Sequence, residues 1–219
     1  MAIYAVAHNK GGAGKTTSSV HILGELDIDE VLDLDIHAGI SVINRLRPDD
    51  KKWSVTVVKT KDELLKLLEQ FDGEDKDVFI DCGGFDSDLS RTAVAVADVV
   101  IVPANDSVPE QIGLVSFDQT LEEVSQQMGT DIQAHLLLCK THPNQKNFAK
   151  LDDVLSNMKH IKQLDSKLPW RTGPHGFQES LSYGLGITEI KHGRSSTAGR
   201  EVVALVKELK AIVKANKNK

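Results

Sequence analysis

Apolar and polar positions alternate along this chain in two different rhythms. Short continuous apolar runs at residues 2–7, 30–35, 54–58, 77–81, 99–103 and 134–139 predict strands, and runs such as Val99-Val100-Ile101-Val102 predict strands buried on both faces. Between them, residues 15–26, 40–46, 62–71, 87–97, 109–128 and 147–158 carry helical spacing or composition. Strand–helix alternation of this kind predicts an α/β fold, a mostly parallel twisted sheet with helices on both faces. In such sheets ligands bind at the carboxyl ends of the strands. The loops after Ala7, Asp35, Asp81, Pro103 and Cys139 are therefore expected on one rim.

Residues 168–176, rich in Pro and Gly, read as a loop. A last helix over residues 198–213 places Val202, Val203, Leu205, Val206, Leu209, Ile212 and Val213 on one broad stripe, expected to pack on the sheet. A membrane-surface role for that stripe is the alternative, disfavoured because the helix has no Trp or Phe anchor.

The first strand runs directly into Asn9-Lys10-Gly11-Gly12-Ala13-Gly14-Lys15-Thr16-Thr17 and then a helix. A strand, a glycine-rich turn and a helix N-terminus form a grip for a phosphate chain, because backbone N–H groups converge and the helix start adds positive charge. Lys15 is placed to reach the β- and γ-phosphates, and the Thr16 hydroxyl to hold Mg²⁺. The usual G-x-x-x-x-G-K-[ST] pattern has glycine where Asn9 stands, and a second lysine, Lys10, follows it.

Two acidic strand tips extend the picture. Asp81, followed by Gly83-Gly84 after Cys82, ends a buried strand and is placed to hold Mg²⁺, partly through water. Asp35 closes the D-x-D pair Asp33–Asp35; nearer the rim, it is expected to orient an attacking water, while Asp33 makes structural hydrogen bonds.

Composition changes this picture little. With 219 residues, 40% apolar and 26% charged, the chain suits one soluble domain over residues 1–219, expected in the cytoplasm. Cys82 and Cys139 lie far apart in apolar runs and read as buried thiols. His8, His37 and His142 read as loop histidines without metal-ligand spacing. The net charge of −6 divides unevenly: from residue 186 onward eight Lys/Arg face three Asp/Glu, a local +5 that leaves −11 elsewhere. That basic end could meet a polyanion.

The loop Lys10–Thr17, the D-x-D tip and the Ile80-Asp81-Cys82 strand end resemble the ParA/MinD family of deviant-P-loop (deviant Walker A) ATPases. The segment from Phe177 to the last helix is similar to small plasmid-type ParA proteins, so the resemblance covers nearly the whole chain. It implies a P-loop NTPase architecture in which Lys10, Gly11, Gly12, Ala13, Gly14, Lys15, Thr16, Thr17 and Asp81 bind ATP, with Thr16 and Asp81 on Mg²⁺ and Lys10, Lys15 and Asp35 in catalysis. Lys10 would reach across an ATP-sandwich homodimer to the partner's phosphates. The resemblance also implies ATP-dependent binding to non-specific DNA, hydrolysis stimulated by a ParB-type centromere-binding protein, nucleoid association and a role in DNA partition. Lys191, Arg194 and Arg200 are the candidate DNA contacts. Alternatives are a MinD-like membrane-cycling or cargo-positioning ATPase, an ATP-dependent small-molecule ligase, for which Lys10 would serve little purpose, and a nucleotide-binding switch, against which Asp35 argues. The chain departs from the family pattern in Ile36-His37 after Asp35, in Gly83-Gly84 where Pro-Pro is usual, in a shortened segment between Lys15 and Asp35, and in Thr141-His142-Pro143 where an adenine-contacting Asn is common.

Overall fold

The computed structural model describes residues 1–217. Seven strands form one sheet: β1 (Ile3–Val6), β2 (Glu30–Asp33), β3 (Val55–Val57), β4 (Val78–Asp81), β5 (Val99–Ala104), β6 (Ala134–Cys139) and β7 (Ile161–Leu168), in the spatial order β3-β2-β4-β1-β5-β6-β7. Every pairing is parallel. The sheet order reverses at β1, whose two neighbours are β4 and β5. The loop after β1 thus opens into the crevice where this class of sheet binds ligands.

Among the described residues, eight α-helices cover the two faces: α1 (Lys15–Leu23), α2 (Gly39–Leu46), α3 (Lys61–Gly73), α4 (Asp88–Val96), α5 (Val108–Met128), α6 (Ala149–Leu155), α7 (Phe177–Leu181) and α8 (Thr197–Asn216). Alternate strand residues feed two cores. Ile3, Ala5, Leu32, Ile80 and Val102 pack with Leu64, Leu114 and Leu121 of α3 and α5. Tyr4, Val6, Val31, Phe79 and Ile101 pack with Val20, Ile22 and the α8 residues Val202, Leu205 and Leu209. Five members of the last-helix stripe are buried, and Ile212 packs against that core as well.

Three features depart from the sequence expectation. Residues 161–168, which carried no predicted element, form the edge strand β7. Its apolar positions, Ile161, Leu164 and Leu168, are spaced by three and four because a register irregularity opposite Leu136–Leu138 interrupts the alternation. The short helix α7 begins just after the expected loop. The first helix ends at Leu23, earlier than residue 26.

Candidate phosphate-binding site

All five expected loops meet at the carboxyl edge of the parallel sheet. The loop after β1 curls through two left-handed glycines, Gly12 at φ 77° and Gly14 at φ 105°, conformations that a side chain would strain. Gly14 caps α1, so Lys15 starts the helix. A cavity of about 390 Å³ opens above the loop, lined by Gly11, Gly12, Gly14, Lys15, Thr16 and Thr17 and, from facing loops, by Asp35, Ile36, His37, Gly84, Phe85 and Lys140.

Lys15 is buried, and its Nζ donates to the Lys10 carbonyl at 2.9 Å. Burial lowers its pKa, with Asp81 as the main opposing charge. A buried ammonium held by a carbonyl dipole is suited to a stronger, anionic acceptor. Gly84 brings the β4 loop against it: a Cβ there would lie 3.1 Å from Gly11 Cα and 3.3 Å from Lys15 Nζ. The glycine pair after Asp81 therefore closes the loop tightly against the phosphate turn.

Asp81 lies fully buried below the cavity rather than in its wall. Ser19 Oγ donates to its Oδ1 at 2.6 Å and Thr16 Oγ1 to its Oδ2 at 3.1 Å. Burial pushes its pKa up to about 7 against the pull of these hydroxyls, and the charge of Asp33 pushes in the same direction. Asp33 is also buried and accepts from Asp35 N, Ser41 N and Ser41 Oγ at 3.2, 2.9 and 2.7 Å. This is the structural hydrogen bonding expected of it. Asp35 is half-exposed on the cavity wall, its Oδ1 accepting from His37 N at 2.8 Å. The turn continues through Ala38 at φ 50° and brings Gly39 against Thr16, where a Cβ would lie 3.2 Å from the Thr16 side chain.

The entrance of the loop docks on α5. Asn9 Nδ2 donates to Thr120 Oγ1 at 2.9 Å, and Lys10 Nζ donates to Glu110 Oε1 at 2.6 Å. The Lys10 ammonium is thus held at α5 and is not part of the cavity wall. His8 lies in the loop as expected, yet it is 2% exposed and stacked on Phe117. A Cβ at Gly113 would lie 2.9 Å from its ring, so this helix needs glycine there. His8 Nδ1 accepts from Lys10 N at 3.2 Å, and burial lowers its pKa to about 4. His37 and His142 are exposed loop residues. Both cysteines are buried free thiols, and Cys139 Sγ donates to Ala13 O at 3.3 Å.

The residues present fit a nucleoside triphosphate with Mg²⁺. The loop offers an open concavity, since a Cβ at Gly11 or Gly12 would meet nothing within 4 Å. One hydroxyl backed by one carboxylate is the donor set that Mg²⁺ uses when phosphates and water supply its other ligands. Sequence reasoning missed Ser19, Ser41, Glu110 and Lys140. Ser19 had a weak signal, being polar and one turn after Lys15; the others are brought in from segments with no local motif.

Lys191, Arg194 and Arg200 lie together at the turn into α8, all exposed. Arg194 is tied to Glu25 at the end of α1, and Arg200 Nη1 donates to Ser195 O at 2.6 Å. None of the three lines the phosphate cavity. Among the described residues, no helix is long and apolar enough to cross a membrane.

A family model for the ATPase MipZ matches residues 33–129. The protein ParA of Rhizobium radiobacter is 25% identical over 131 residues, which cover 58% of this chain and 58% of that protein. Among solved structures, MinD of Aquifex aeolicus superposes with a TM-score of 0.68 at 15% identity, covering 96% of this chain and 98% of its own. ParA of pNOB8 bound to nonspecific DNA gives 0.63 at 13% identity over 98% and 99%. The α/β fold is shared with these structures. The family-model match and the ParA relative make the chain similar to ParA/MinD-type ATPases, and it spans a little over half the length of that ParA protein.

Proposed function

We propose that this chain is one ATPase domain that binds Mg·ATP in the cavity above the phosphate loop, dimerises around two nucleotides, hydrolyses ATP slowly and serves DNA partition. The observation that carries the reading is the convergence of Lys15, Thr16 and buried Asp81 beneath a cavity with Asp35 on its opposite wall. ATP with Mg²⁺ would supply the transferable phosphoryl group and neutralise its charge. In this reading Lys15 and the loop N–H groups hold the phosphates. Thr16, braced by Asp81, faces the cation. Asp35 positions the water that attacks, as phosphoryl transfer is accelerated chiefly by positioning and electrostatics.

Two observations support a second copy. Lys10 stands at the loop entrance, held by Glu110, and adds nothing to its own cavity in this arrangement. Large apolar side chains stand exposed beside that cavity and on the α5 segment bearing Glu110: Ile36 at 73%, Phe85 at 44%, Val108 at 64% and Ile112 at 67%. Non-specific DNA is the proposed polyanion, with Lys191, Arg194 and Arg200 as contacts, supported by the local basic excess; a ParB-type protein is the proposed stimulator of hydrolysis, and the nucleoid the proposed location. A membrane-cycling role is the weaker reading, because the apolar stripe of α8 is already covered by the sheet.

Gel shift on unrelated duplexes, with ATP against ADP, tests the partition reading. Salt-sensitive binding with ATP only is expected. Equal failure with both nucleotides would remove DNA partition, and liposome sedimentation would then decide the membrane reading.

A further inference from the structure

Lys140, the residue after β6, stands in a left-handed conformation, φ 55°, which residues other than glycine adopt sparingly and which clusters at functional positions. Its backbone N–H is anchored to Leu168 O at 3.0 Å, so the residue is fixed to the sheet while its side chain crosses back over the phosphate loop. There Nζ donates to Gly12 O at 2.9 Å. Lys140 lines the phosphate cavity and also the adjoining cleft formed with Trp170 and Phe177, so it stands on the ridge between them.

Charge distribution gives this placement its meaning. Two ammonium groups line the cavity, those of Lys15 and Lys140, and both rest on carbonyl oxygens of the loop itself. Lys10 is committed to Glu110. A phosphate oxygen carries a full charge where a carbonyl has only a dipole, so an ammonium is drawn more strongly to the phosphate than to the carbonyl. Lysine suits such an exchange, being a compact point charge with three rotatable donors on a flexible stem.

We infer that Lys140 is a second phosphate-binding cation supplied by the same chain, leaving the Gly12 carbonyl for the phosphate chain when a nucleoside di- or triphosphate binds. This rests on the Mg·ATP reading of the cavity. It makes Lys140 a ligand-contacting residue, independent of whether Lys10 ever acts across a dimer.

The test is a calorimetric titration of the full chain with AMP, ADP and ATP in the presence of Mg²⁺, for the parent, Lys140→Gly, Lys140→Arg and Lys15→Ala. Glycine suits the left-handed backbone, so the whole side chain with its ammonium is removed without backbone strain, and the arginine variant restores the cation. Lys140→Gly is expected to weaken ATP about tenfold while AMP changes less than twofold, and Lys140→Arg to restore ATP to within about threefold of the parent. An unchanged ATP affinity in Lys140→Gly, equal losses for AMP and ATP, or no recovery with arginine would each overturn the inference, the middle result marking a loop brace only. A parent that binds ATP, together with a Lys15→Ala variant that does not, keeps the site reading intact whatever Lys140 does. A parent that binds no nucleotide overturns both.

Discussion

Two regions of this protein bury charge, and they treat it in opposite ways. Behind α2, Arg47 is 4% exposed and fully partnered. Its Nη1 and Nη2 reach Glu189 at 2.9 and 2.6 Å, Nη1 also reaches Gly184 O, Nε reaches Lys51 O, and the guanidinium lies 3.6 Å from the Trp53 ring centre. Glu189 in turn accepts from Gly186 N at 2.7 Å. At the rim, by contrast, Asp81 has two neutral hydroxyls, Lys15 a carbonyl, and the facing atoms His8 Nε2 and Glu110 Oε2 have no hydrogen-bond partner at all. The first arrangement is complete as it stands and locks α2 to the segment before α8. The second is a set of groups whose best partners are absent from the chain, as expected of a site shaped for a polyphosphate and its cation.

The sharpest way to break this contrast is to unpair the complete region. Glu189→Ala leaves the Arg47 charge buried and should cost about 3–5 kcal/mol in urea unfolding. A loss below about 1 kcal/mol would show that the two regions do not differ in kind.

Asp81→Asn should act in the other direction. Folding raises the Asp81 pKa from its ordinary 3.8 to about 7. The native state therefore holds the proton more tightly, and stability is lost as pH rises through about 7. Asparagine removes that penalty, so the ligand-free variant should gain roughly 1–3 kcal/mol at pH 8 and clearly less at pH 6, where the parent is already mostly protonated. His8 and His21, both held neutral by burial, are common to the two proteins and cancel in the difference. Affinity for ATP should lose its dependence on Mg²⁺ in the same variant. A destabilised variant at pH 8 would contradict the claim that this charge waits for a cation.

Smaller effects refine the entrance. Glu110→Gln weakens the hold on Lys10 by about 1 kcal/mol, so ATP-dependent dimers should form at severalfold lower protein concentration by light scattering. Unchanged dimerisation would separate Lys10 from assembly. Last, Lys191→Ala with Arg200→Ala should leave nucleotide affinity untouched, lower DNA affinity severalfold and flatten its salt dependence, as the loss of two phosphate contacts requires. An unchanged salt slope would place any DNA surface elsewhere.

The contrast also explains what was legible in the sequence. Residues 10–17, Asp35 and Asp81 could be read directly, because each sits at the end of an apolar run and the phosphate loop is contiguous in sequence. Five of the seven strands, β1, β2, β4, β5 and β6, were legible for the same reason: interior to the sheet, they are short, mostly apolar runs; β3, at one edge and only partly buried, was legible as the short run of residues 54–58. β7 was hidden by its place at the edge, where Lys162, Gln163, Asp165 and Lys167 dilute the pattern and a register irregularity imitates helical spacing. Glu110, Ser41 and Lys140 were hidden because their roles arise only when the sheet order brings separate segments together. His8 was expected in the loop, and it is there; its burial depends on Gly113, over a hundred residues later.

The central claim is that the rim groups await a nucleoside triphosphate with its cation. Calorimetric titration of the chain with Mg·ATP tests it most directly. Saturable binding of one nucleotide per chain is expected, weakened at least about a hundredfold by Lys15→Ala while that variant keeps the parent's unfolding midpoint. No binding by the parent, or binding that Lys15→Ala leaves unchanged, would contradict it.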